Sequence, residues 1–369
     1  MRPLYIGLMS GTSLDSVDAV AFEFDATGCS MIASHSEPFA PQLRQQTLAL
    51  MHPGQDEIER LGRLDLELAE LFASAANNLI ELNTLDRRRI RAIGSHGQTV
   101  RHRPQTGFTL QIGDPNLIAE RTGLCVVADF RRRDMAAAGQ GAPLVPAFHN
   151  ALFRAPGTDR IILNIGGMAN ITLLPGDVQQ PVIGYDTGPG NVLLDYWIYR
   201  QRALSYDRDG AWAATGTVLP GLLQQLLSLP FFQAPAPKST GREQFNPDWL
   251  QQQLLDSGYT AGAPEDIQAT LLELSALSIS HEIMKVSGPD CEVYLCGGGS
   301  HNSLMRKRLQ ERLKPYSLST TATLGLDPDW VEACAFAWLA GCRLDSLSGN
   351  MPAVTGALGE RILGAVYSP

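Results

Sequence analysis

The chain has 369 residues, of which 44% are hydrophobic, 18% charged and 7% aromatic. This composition excludes a disordered or fibrous protein, and the length accommodates two domains or one large α/β barrel. The formal net charge of −9, with 38 acidic against 29 basic side chains, argues against a nucleic-acid-binding protein.

The cysteines and the apolar segments bear on where the protein works. The chain has 6 cysteines and no CxxC pair, which favours buried thiols in a reducing compartment over a disulfide framework or a zinc site. Neither a signal-peptide pattern nor an apolar stretch of about 18 residues occurs. A cytoplasmic location is therefore expected.

Short apolar runs between glycines and prolines predict strands at residues 4–9, 17–24, 90–94, 108–112, 124–128, 161–165, 182–185 and 292–296. Residues 61–79 carry apolar side chains at spacings of three and four, which predicts an amphipathic helix. A second helix is expected to begin at Pro264, because proline suits a first helical turn and the acidic residues that follow suit the positive end of the helix dipole. Strands alternating with helices indicate an α/β fold.

Two glycine-containing turns each join a pair of apolar runs. One lies in residues 6–15 and the other in residues 163–172, so each opens one half of the chain. They are interpreted either as two ordinary hairpins or as the marks of duplicated phosphate-binding lobes. The pattern alone does not choose between these interpretations.

The first of these turns offers a place for phosphate. Walker A, GxGxxG, HExxH and GxSxG motifs are absent from the sequence, so a bound nucleotide needs another loop. Residues 10–13 supply hydroxyls and backbone N–H groups close together, which suits a polyphosphate. Asp15 and Asp18 follow, where carboxylates hold magnesium through its waters or, alternatively, serve as turn and cap residues.

Asp186 is the most informative acidic residue. It is predicted at the end of the strand at 182–185, before a turn that opens a helix through Leu194 and Trp197. A strand end fixes a carboxylate in a cleft, as a general base for an alcohol or water requires. The alternative is an aspartate that forms an Asx-turn or caps the helix, which is the commoner role in an α/β protein.

Two further segments stand out in the second half. Three glycines at 297–299 follow the strand predicted at 292–296, and they either let a flat ring or ribose approach the backbone or form a flexible turn. Residues 229–242 are rich in proline and are expected to form a surface loop or the margin of a lid.

Six short motifs follow one another over nearly the whole chain. They are Met-Ser-Gly-Thr-Ser-Leu-Asp at 9–15, Ser-His-Gly-Gln-Thr at 95–99, Gly-Gln-Gly-Ala-Pro-Leu at 139–144, Asp-Thr-Gly-Pro-Gly-Asn at 186–191, Lys-Ser-Thr-Gly-Arg at 238–242 and Cys-Gly-Gly-Gly at 296–299. Through these motifs, in this order, the chain resembles the anhydro-N-acetylmuramic acid kinase family.

The resemblance implies two actin-like, ribonuclease H-like α/β lobes with a nucleotide cleft between them. The N-terminal lobe would comprise residues 1–135 with the C-terminal segment 345–369, and the C-terminal lobe residues 136–344. The implied activity is an ATP-dependent kinase that opens 1,6-anhydro-N-acetylmuramic acid with water and phosphorylates O6, giving N-acetylmuramic acid 6-phosphate for cell-wall recycling. ATP, Mg²⁺ and the sugar are the expected ligands, nucleic acid and membrane are not expected, and a homodimer is left open.

The same resemblance assigns roles to individual residues. Asp186 would be the base that activates the attacking water, and Asp15 and Asp18 would approach Mg²⁺ through water. The expected sugar-binding residues are Thr99, Arg131 and Glu332. An arginine in the cleft would suit the lactyl carboxylate, which it can hold bidentately. The expected ATP-binding residues are Gly11, Thr12, Ser13, Leu14, Asp15, Ser16, Val17, Asp18, Gly166, Gly167, Gly297, Gly298 and Gly299.

The chain departs from the family pattern at two positions. Ser16 and Ala138 stand where glycine is expected, and a positive φ at position 16 would cost a serine on the order of 1 kcal/mol. Two other functions stay open. One is a kinase for another 1,6-anhydro sugar such as levoglucosan, and the other is an ATPase switch of the same fold in which Asp186 only positions a hydrolytic water.

Overall fold

The computed structural model describes residues 2–11, 14–25, 28–259 and 262–369. Within these residues the strands are β1 (Leu4–Met9), β2 (Ser16–Asp25), β3 (Gly28–Pro38), β4 (Ile90–Ser95), β5 (Gln98–Arg103), β6 (Phe108–Ile112), β7 (Val126–Ala128), β8 (Arg160–Ile165), β9 (Met168–Leu174), β10 (Ile183–Pro189), β11 (Glu292–Cys296), β12 (Ser317–Thr320) and β13 (Ala365–Tyr367). The α-helices are α1 (Pro41–Leu50), α2 (Glu57–Leu82), α3 (Pro115–Thr122), α4 (Phe130–Met135), α5 (Val145–Phe153), α6 (Val192–Arg202), α7 (Pro220–Leu227), α8 (Pro230–Gln233), α9 (Pro247–Ser257), α10 (Pro264–Val286), α11 (Ser303–Arg312), α12 (Val331–Leu344) and α13 (Pro352–Thr355).

The elements expected from the apolar pattern are confirmed. The strands predicted at 4–9, 108–112 and 292–296 match at both ends, and the helix over 61–79 is the centre of α2. No apolar run predicts β3, β5, β12 or β13. Three of these strands lie at sheet edges and β5 belongs to a two-stranded sheet, so they bury fewer apolar side chains.

The first compact unit comprises Met1–Leu152 and Trp330–Pro369. Its six strands lie in the order β13-β7-β4-β1-β2-β3, with β1, β4 and β7 parallel and β2, β3 and β13 antiparallel to their neighbours. Because side chains alternate along a strand, Ile6 and Leu8 of β1 join the core that packs on α2, whereas Gly7 faces α12.

Two glycines allow α12 to lie directly on this sheet. A Cβ atom at Gly7 would collide with the backbone carbonyl of Ala333, and one at Gly94 with that of Phe336. The helix backbone therefore reaches the strands more closely than any other residue type would permit. This packing places the first turn of α12, which carries Glu332, in the same unit as β1 and β4.

The unit boundaries differ from those expected for the lobes. The chain divides at 152/153 and 329/330, whereas the resemblance implies lobes divided at 135/136 and at about 344/345. α12 lies in the first unit because its backbone packs on β1 and β4. That close packing involves two glycines distant in sequence, so no local pattern marks it.

The second unit, Phe153–Asp329, repeats the arrangement of the first. Its strands lie in the order β10-β9-β8-β11-β12, with an antiparallel meander of three strands followed by two parallel strands. In the first unit β3-β2-β1-β4-β7 has the same pattern. The β1–β2 and β8–β9 hairpins thus occupy equivalent places, and the expected actin-like α/β fold is confirmed.

Residues 229–242 include the surface loop expected from their prolines, because positions 234–242 have no helix or strand and positions 235–237 are exposed, but these residues are not a loop throughout. They begin with α8, whose Phe231 and Phe232 are buried and pack against Phe245. Farther along, the side chain of Lys238 is buried as well. The aromatic pair supplies enough apolar surface to anchor the segment in the core of the second unit.

The cysteines and helices bear on the expected compartment. All the cysteines are free thiols, and those at 291, 296, 334 and 342 are buried, but Cys29 is exposed on β3. In the part of the chain that the structure describes, no helix combines the length and the apolar character needed to cross a membrane.

Candidate active site

Asp186 lies within the edge strand β10 and not at a strand end as expected. The strand continues to Pro189, and its pairing with β9 shifts register between Asp186 and Gly188. α6 begins at Val192 with Asn191 at its N-cap position, so the interpretation of Asp186 as a helix cap is wrong. Asp186 is still paired with Asn170, and the bulge falls at the next residue, Thr187; a bulge of this kind commonly re-aims a side chain at a functional site.

The segment after α8 holds Asp186 on both its backbone and its side chain. The Asp186 N–H donates a hydrogen bond of 3.0 Å to the carbonyl of Lys238. The Thr240 N–H donates one of 2.9 Å to Asp186 Oδ2. One carboxylate oxygen is thus fixed by a backbone donor from a distant part of the chain.

The environment of Asp186 suits a proton acceptor near neutral pH. Burial raises the pKa of this carboxyl to about 7, the Thr240 N–H lowers it, and the charge of Glu243 raises it further. A general base works best when its pKa lies near the operating pH. This carboxylate can therefore both accept and release a proton under physiological conditions.

Arg131 lies in the first unit beside a neutral histidine. Its Nε and Nη2 lie 3.1 and 2.9 Å from Nε2 of His96, and Nη1 donates to the carbonyl of Gly141. Burial lowers the pKa of Arg131 to about 10, against the raising effect of Glu332 and Asp134. Burial, and then the charge of Arg131, lowers the pKa of His96 well below its ordinary value. The pair therefore carries one positive charge at neutral pH.

Among the residues that the structure describes, this positive charge has no counter-ion within ion-pair distance. None of the ion pairs formed by described residues includes Arg131. Charged groups with little access to water are normally paired, so the guanidinium is suited to an anionic ligand. Glu332 acts on Arg131 electrostatically, whereas Thr99 lies on β5 with its Oγ1 accepting from Gln111.

A buried carboxylate supports the loop that contacts Arg131. Asp134 Oδ2 accepts from the Gly141 N–H at 2.8 Å, and its Oδ1 accepts from Asn350 and Thr355. In the same loop Ala138 has φ 64°, in the left-handed region that favours glycine. The departure from the family pattern at this position therefore strains the backbone.

The strain expected at Ser16 does not occur. Ser16 is the first residue of β2 and does not have a positive φ, whereas Leu14 does, at 55°. Thr12 and Ser13 lie outside the described residues. Leu14 and Val17 are fully buried in the core of the first unit, so their side chains do not face a ligand.

The start of this loop has the features of a phosphate site. A Cβ added at Gly11 would meet no atom of the described residues beyond its chain neighbours within 4 Å, so these residues leave space beside the backbone. The neighbouring Ser10 is buried, and its Oγ has no hydrogen-bond partner among the described residues. An orphaned buried hydroxyl beside an open backbone turn is satisfied by an anionic oxygen.

The two expected magnesium-contacting carboxylates differ in their surroundings. Asp15 is 69% exposed at its side chain and lies 3.9 Å from Arg44. Asp18 Oδ1 accepts hydrogen bonds from the hydroxyls of Ser16 and Ser36. No group of three metal-binding side chains occurs among the residues that the structure describes. These carboxylates therefore suit a hydrated ion carried by phosphates better than a cage made by the protein.

The glycines of the second unit have separate roles. Gly166 and Gly167 form the β8–β9 turn, and their carbonyls accept from the backbone N–H groups that begin α6. Added Cβ atoms would strike Asn164 at Gly297 and Ile165 at Gly299, but none would meet anything at Gly298. Packing on β8 therefore explains two of the three consecutive glycines, and only Gly298 borders open space.

The comparisons with known proteins identify the family. The profile of the anhydro-N-acetylmuramic acid kinase family matches residues 3–369. The chain belongs to this family. An anhydro-N-acetylmuramic acid kinase of Shewanella pealeana is 54% identical over 365 residues, covering 98% of each chain. That of Shewanella oneidensis is 53% identical over 369 residues, covering 100% of this chain and 99% of the relative.

A solved structure with 10% identity, component A of the (R)-2-hydroxyglutaryl-CoA dehydratase of Acidaminococcus fermentans, aligns over 91% of this chain and 96% of that one with a TM-score of 0.46. Membership of the kinase family makes this protein a phosphotransferase whose acceptor is an alcohol group.

In this member of the family the structure brings Arg131 and Glu332 near each other and adds His96, which the sequence placed only within a motif. It surrounds Asp186 with Lys238 and Thr240. Spacing along the chain gives no signal for these contacts, because the residues they join are at least 35 positions apart.

Proposed function

We propose that this kinase transfers the γ-phosphoryl group of ATP to O6 of 1,6-anhydro-N-acetylmuramic acid while water opens the anhydro ring at C1. The product is N-acetylmuramic acid 6-phosphate, an intermediate of cell-wall recycling. Family membership over residues 3–369 supports the overall reaction. The mechanism rests on one observation, which is that the pKa of the Asp186 carboxyl is raised to about 7.

Asp186 acts as the general base. It takes a proton from water, the water oxygen forms the bond to C1, and the C1–O6 bond breaks. The freed electron pair of O6 attacks the γ-phosphorus, and ADP leaves. The hydrogen bond from Thr240 fixes Oδ2, so the carboxylate keeps one orientation while it exchanges its proton.

Arg131 binds the lactyl carboxylate of the sugar. Its guanidinium stays charged at neutral pH, lacks an ion-pair partner among the described residues, and is oriented by His96 and Gly141. A bidentate pair with a carboxylate satisfies such a group. Levoglucosan has no carboxylate and would leave this charge uncompensated, which favours the muramic substrate. Thr99 and Glu332 are proposed to bind the same sugar.

The phosphates of ATP lie at the residue 10–18 loop in this proposal. Gly11 and the orphaned hydroxyl of Ser10 support this placement, and Gly298 would border the adenosine. Gly166 and Gly167 are proposed as the equivalent turn of the second unit. Mg²⁺, when bound with ATP, would neutralise phosphate charge in the transition state, with Asp15 and Asp18 holding its water ligands.

A coupled assay with ATP, Mg²⁺ and 1,6-anhydro-N-acetylmuramic acid tests the reaction. We expect sugar phosphate and ADP in equal amounts, and turnover of levoglucosan well below that of the muramic sugar. Inorganic phosphate as the only phosphorylated product would instead indicate an ATPase switch.

The Asp186→Asn variant tests the base. We expect kcat to fall by roughly 10²–10⁴-fold with little change in the KM for ATP. Asp177→Asn is the matched control, since Asp177 also accepts a backbone hydrogen bond in the second unit but lies on an exposed turn. Near wild-type kcat in Asp186→Asn would remove Asp186 from catalysis.

Location and assembly are part of the same proposal. The free thiols support a reducing, cytoplasmic compartment. A homodimer stays a prediction, which sedimentation of the purified enzyme would check.

A further inference from the structure

A buried ionic cluster lies on the chain segments that hold Asp186. Lys238 Nζ and Glu282 Oε1 are 2.9 Å apart, and only 5% and 6% of these side chains are exposed. The Tyr185 hydroxyl donates to Glu282 Oε2 at 3.0 Å, and Lys285 Nζ donates to Oε1 at 2.8 Å. Glu282, on α10, thus accepts three hydrogen bonds, from Lys238, Tyr185 and Lys285.

Glu282 is ionised at neutral pH. Burial acts to raise the pKa of its carboxyl, but hydrogen bonds from Lys285 and Lys238 outweigh burial, and the pKa lies below its ordinary value. A buried ion pair that loses one partner leaves an uncompensated charge, which is strongly unfavourable. The geometry of the cluster is therefore held firmly.

Lys238 is fully engaged by the protein. Its Nζ contacts Glu282 and also donates to the backbone carbonyl of Phe231 at 3.2 Å. It lies 4.7 Å from the centre of the Phe231 aromatic ring. An ammonium with these partners is not available to a phosphate group. The lysine of the Lys-Ser-Thr-Gly-Arg motif is thus a structural ion in this fold.

Two short covalent paths lead from the cluster to Asp186. The carbonyl of Lys238 itself accepts from the Asp186 N–H, and Thr240, two residues on, donates its N–H to the Asp186 carboxylate. On the other side, Tyr185 directly precedes Asp186 on β10. Glu282 therefore ties together both segments that meet at the carboxylate.

We propose that Glu282 is a positioning residue for the kinase reaction, which it supports by clamping Lys238 and Tyr185 so that the Thr240 N–H and the Asp186 carboxylate stay in register. This inference rests on the proposed role of Asp186 as general base. It gives the Lys-Ser-Thr-Gly-Arg motif a function that involves no contact with ATP or sugar. Removing the charge of Glu282 loosens the clamp and lets Thr240 move away from Oδ2.

The test is Glu282→Gln, which keeps the size of the side chain and removes its charge. We expect kcat to fall by about 10-fold to 100-fold, the typical loss when a supporting residue of a site is removed, while the KM for ATP changes less than about twofold. The acid limb of kcat/KM should move to higher pH, because the Thr240 N–H that lowers the Asp186 pKa is displaced. Glu243, which also acts on Asp186, stays unchanged in every variant.

Glu273→Gln is the matched control. Glu273 lies on the same helix α10, is buried, and pairs with Arg308 and Arg312, so its replacement removes a similar charge without touching the Tyr185 and Lys238 contacts of Glu282. We expect a lower thermal midpoint in both variants but an unchanged kcat and acid limb only in Glu273→Gln. Equal losses of kcat in the two would contradict the proposal.

Tyr185→Phe is the second variant if Glu282→Gln does not fold, since it removes a single hydrogen bond to Glu282. It should lower kcat by a few-fold and shift the acid limb in the same direction. The positioning role would be overturned if folded Glu282→Gln had the kcat and the acid limb of the wild type. If Glu282→Gln does not fold, the same result in Tyr185→Phe would overturn it. If either variant behaves like the wild type while Asp186→Asn loses its kcat, the positioning role of Glu282 fails and the proposed role of Asp186 stands. Wild-type turnover in Asp186→Asn would instead overturn the proposed function on which it rests.

Discussion

Lowering the pH should inactivate the enzyme through Asp186. The carboxyl has a pKa of about 7, so about 90% of it is ionised at pH 8 and about 10% at pH 6. Only the ionised form accepts a proton from water. We therefore expect kcat/KM for the sugar to fall about tenfold between pH 8 and pH 6, and about ninefold more by pH 5.

The same pKa fixes the sign of a stability change. Burial raises the pKa of Asp186 above its value in the unfolded chain, so proton binding at Asp186 stabilises the folded protein. This contribution to stability is present in full below about pH 4 and is lost as the pH rises through 7. A shift of about 3 units corresponds to about 4 kcal/mol at full burial. The side chain is partly exposed, so we expect on the order of 1–2 kcal/mol.

Asp186→Asn should consequently be less active but more stable than the wild type at pH 8, with the two equally stable near pH 4. Initial rates at saturating ATP and constant ionic strength measure the first effect, and urea unfolding at both pH values measures the second. A kcat/KM that stays flat from pH 8 to pH 6, with equal stability of both proteins at pH 8, would refute a raised Asp186 pKa.

Two other substitutions test neighbouring features of the first unit. Arg131→Met should raise the KM for 1,6-anhydro-N-acetylmuramic acid by 10-fold or more, because a charge-assisted hydrogen bond contributes about 1.5–3 kcal/mol, and an unchanged KM in steady-state assays would exclude Arg131 from sugar binding. Ala138→Gly should raise the thermal midpoint by about 2–4 °C, since glycine relieves about 1 kcal/mol of strain at φ 64°; calorimetry that finds a lower midpoint would contradict this strain.

The sequence predicts the strands that carry continuous apolar runs. β1, β6 and β11 appear at their expected bounds because central or half-buried strands must present apolar side chains. β3 escapes prediction because it is an edge strand with mostly exposed residues. Its stability comes from pairing with β2, which no local pattern reveals.

The candidate site is only partly predictable for a similar reason. Asp186 lies in one of the motifs that carry the family resemblance, and the same resemblance assigns Arg131, which lies outside those motifs. Their partners come from elsewhere: Thr240 lies 54 residues from Asp186, and His96 lies 35 residues from Arg131. The Lys238–Glu282 pair spans 44 residues. These contacts depend on how the sheets and helices pack, which spacing within one segment does not encode.

The central claim is that water attacks C1 while O6 receives the phosphoryl group. Turnover in ¹⁸O-water, quenched early and analysed by mass spectrometry, tests it directly, with unlabelled product held in the same water for the same time as the exchange control. We expect one ¹⁸O on the anomeric carbon of N-acetylmuramic acid 6-phosphate and none in its phosphate group. A phosphorylated sugar with its anhydro ring intact, or ¹⁸O found only in released phosphate, would contradict it.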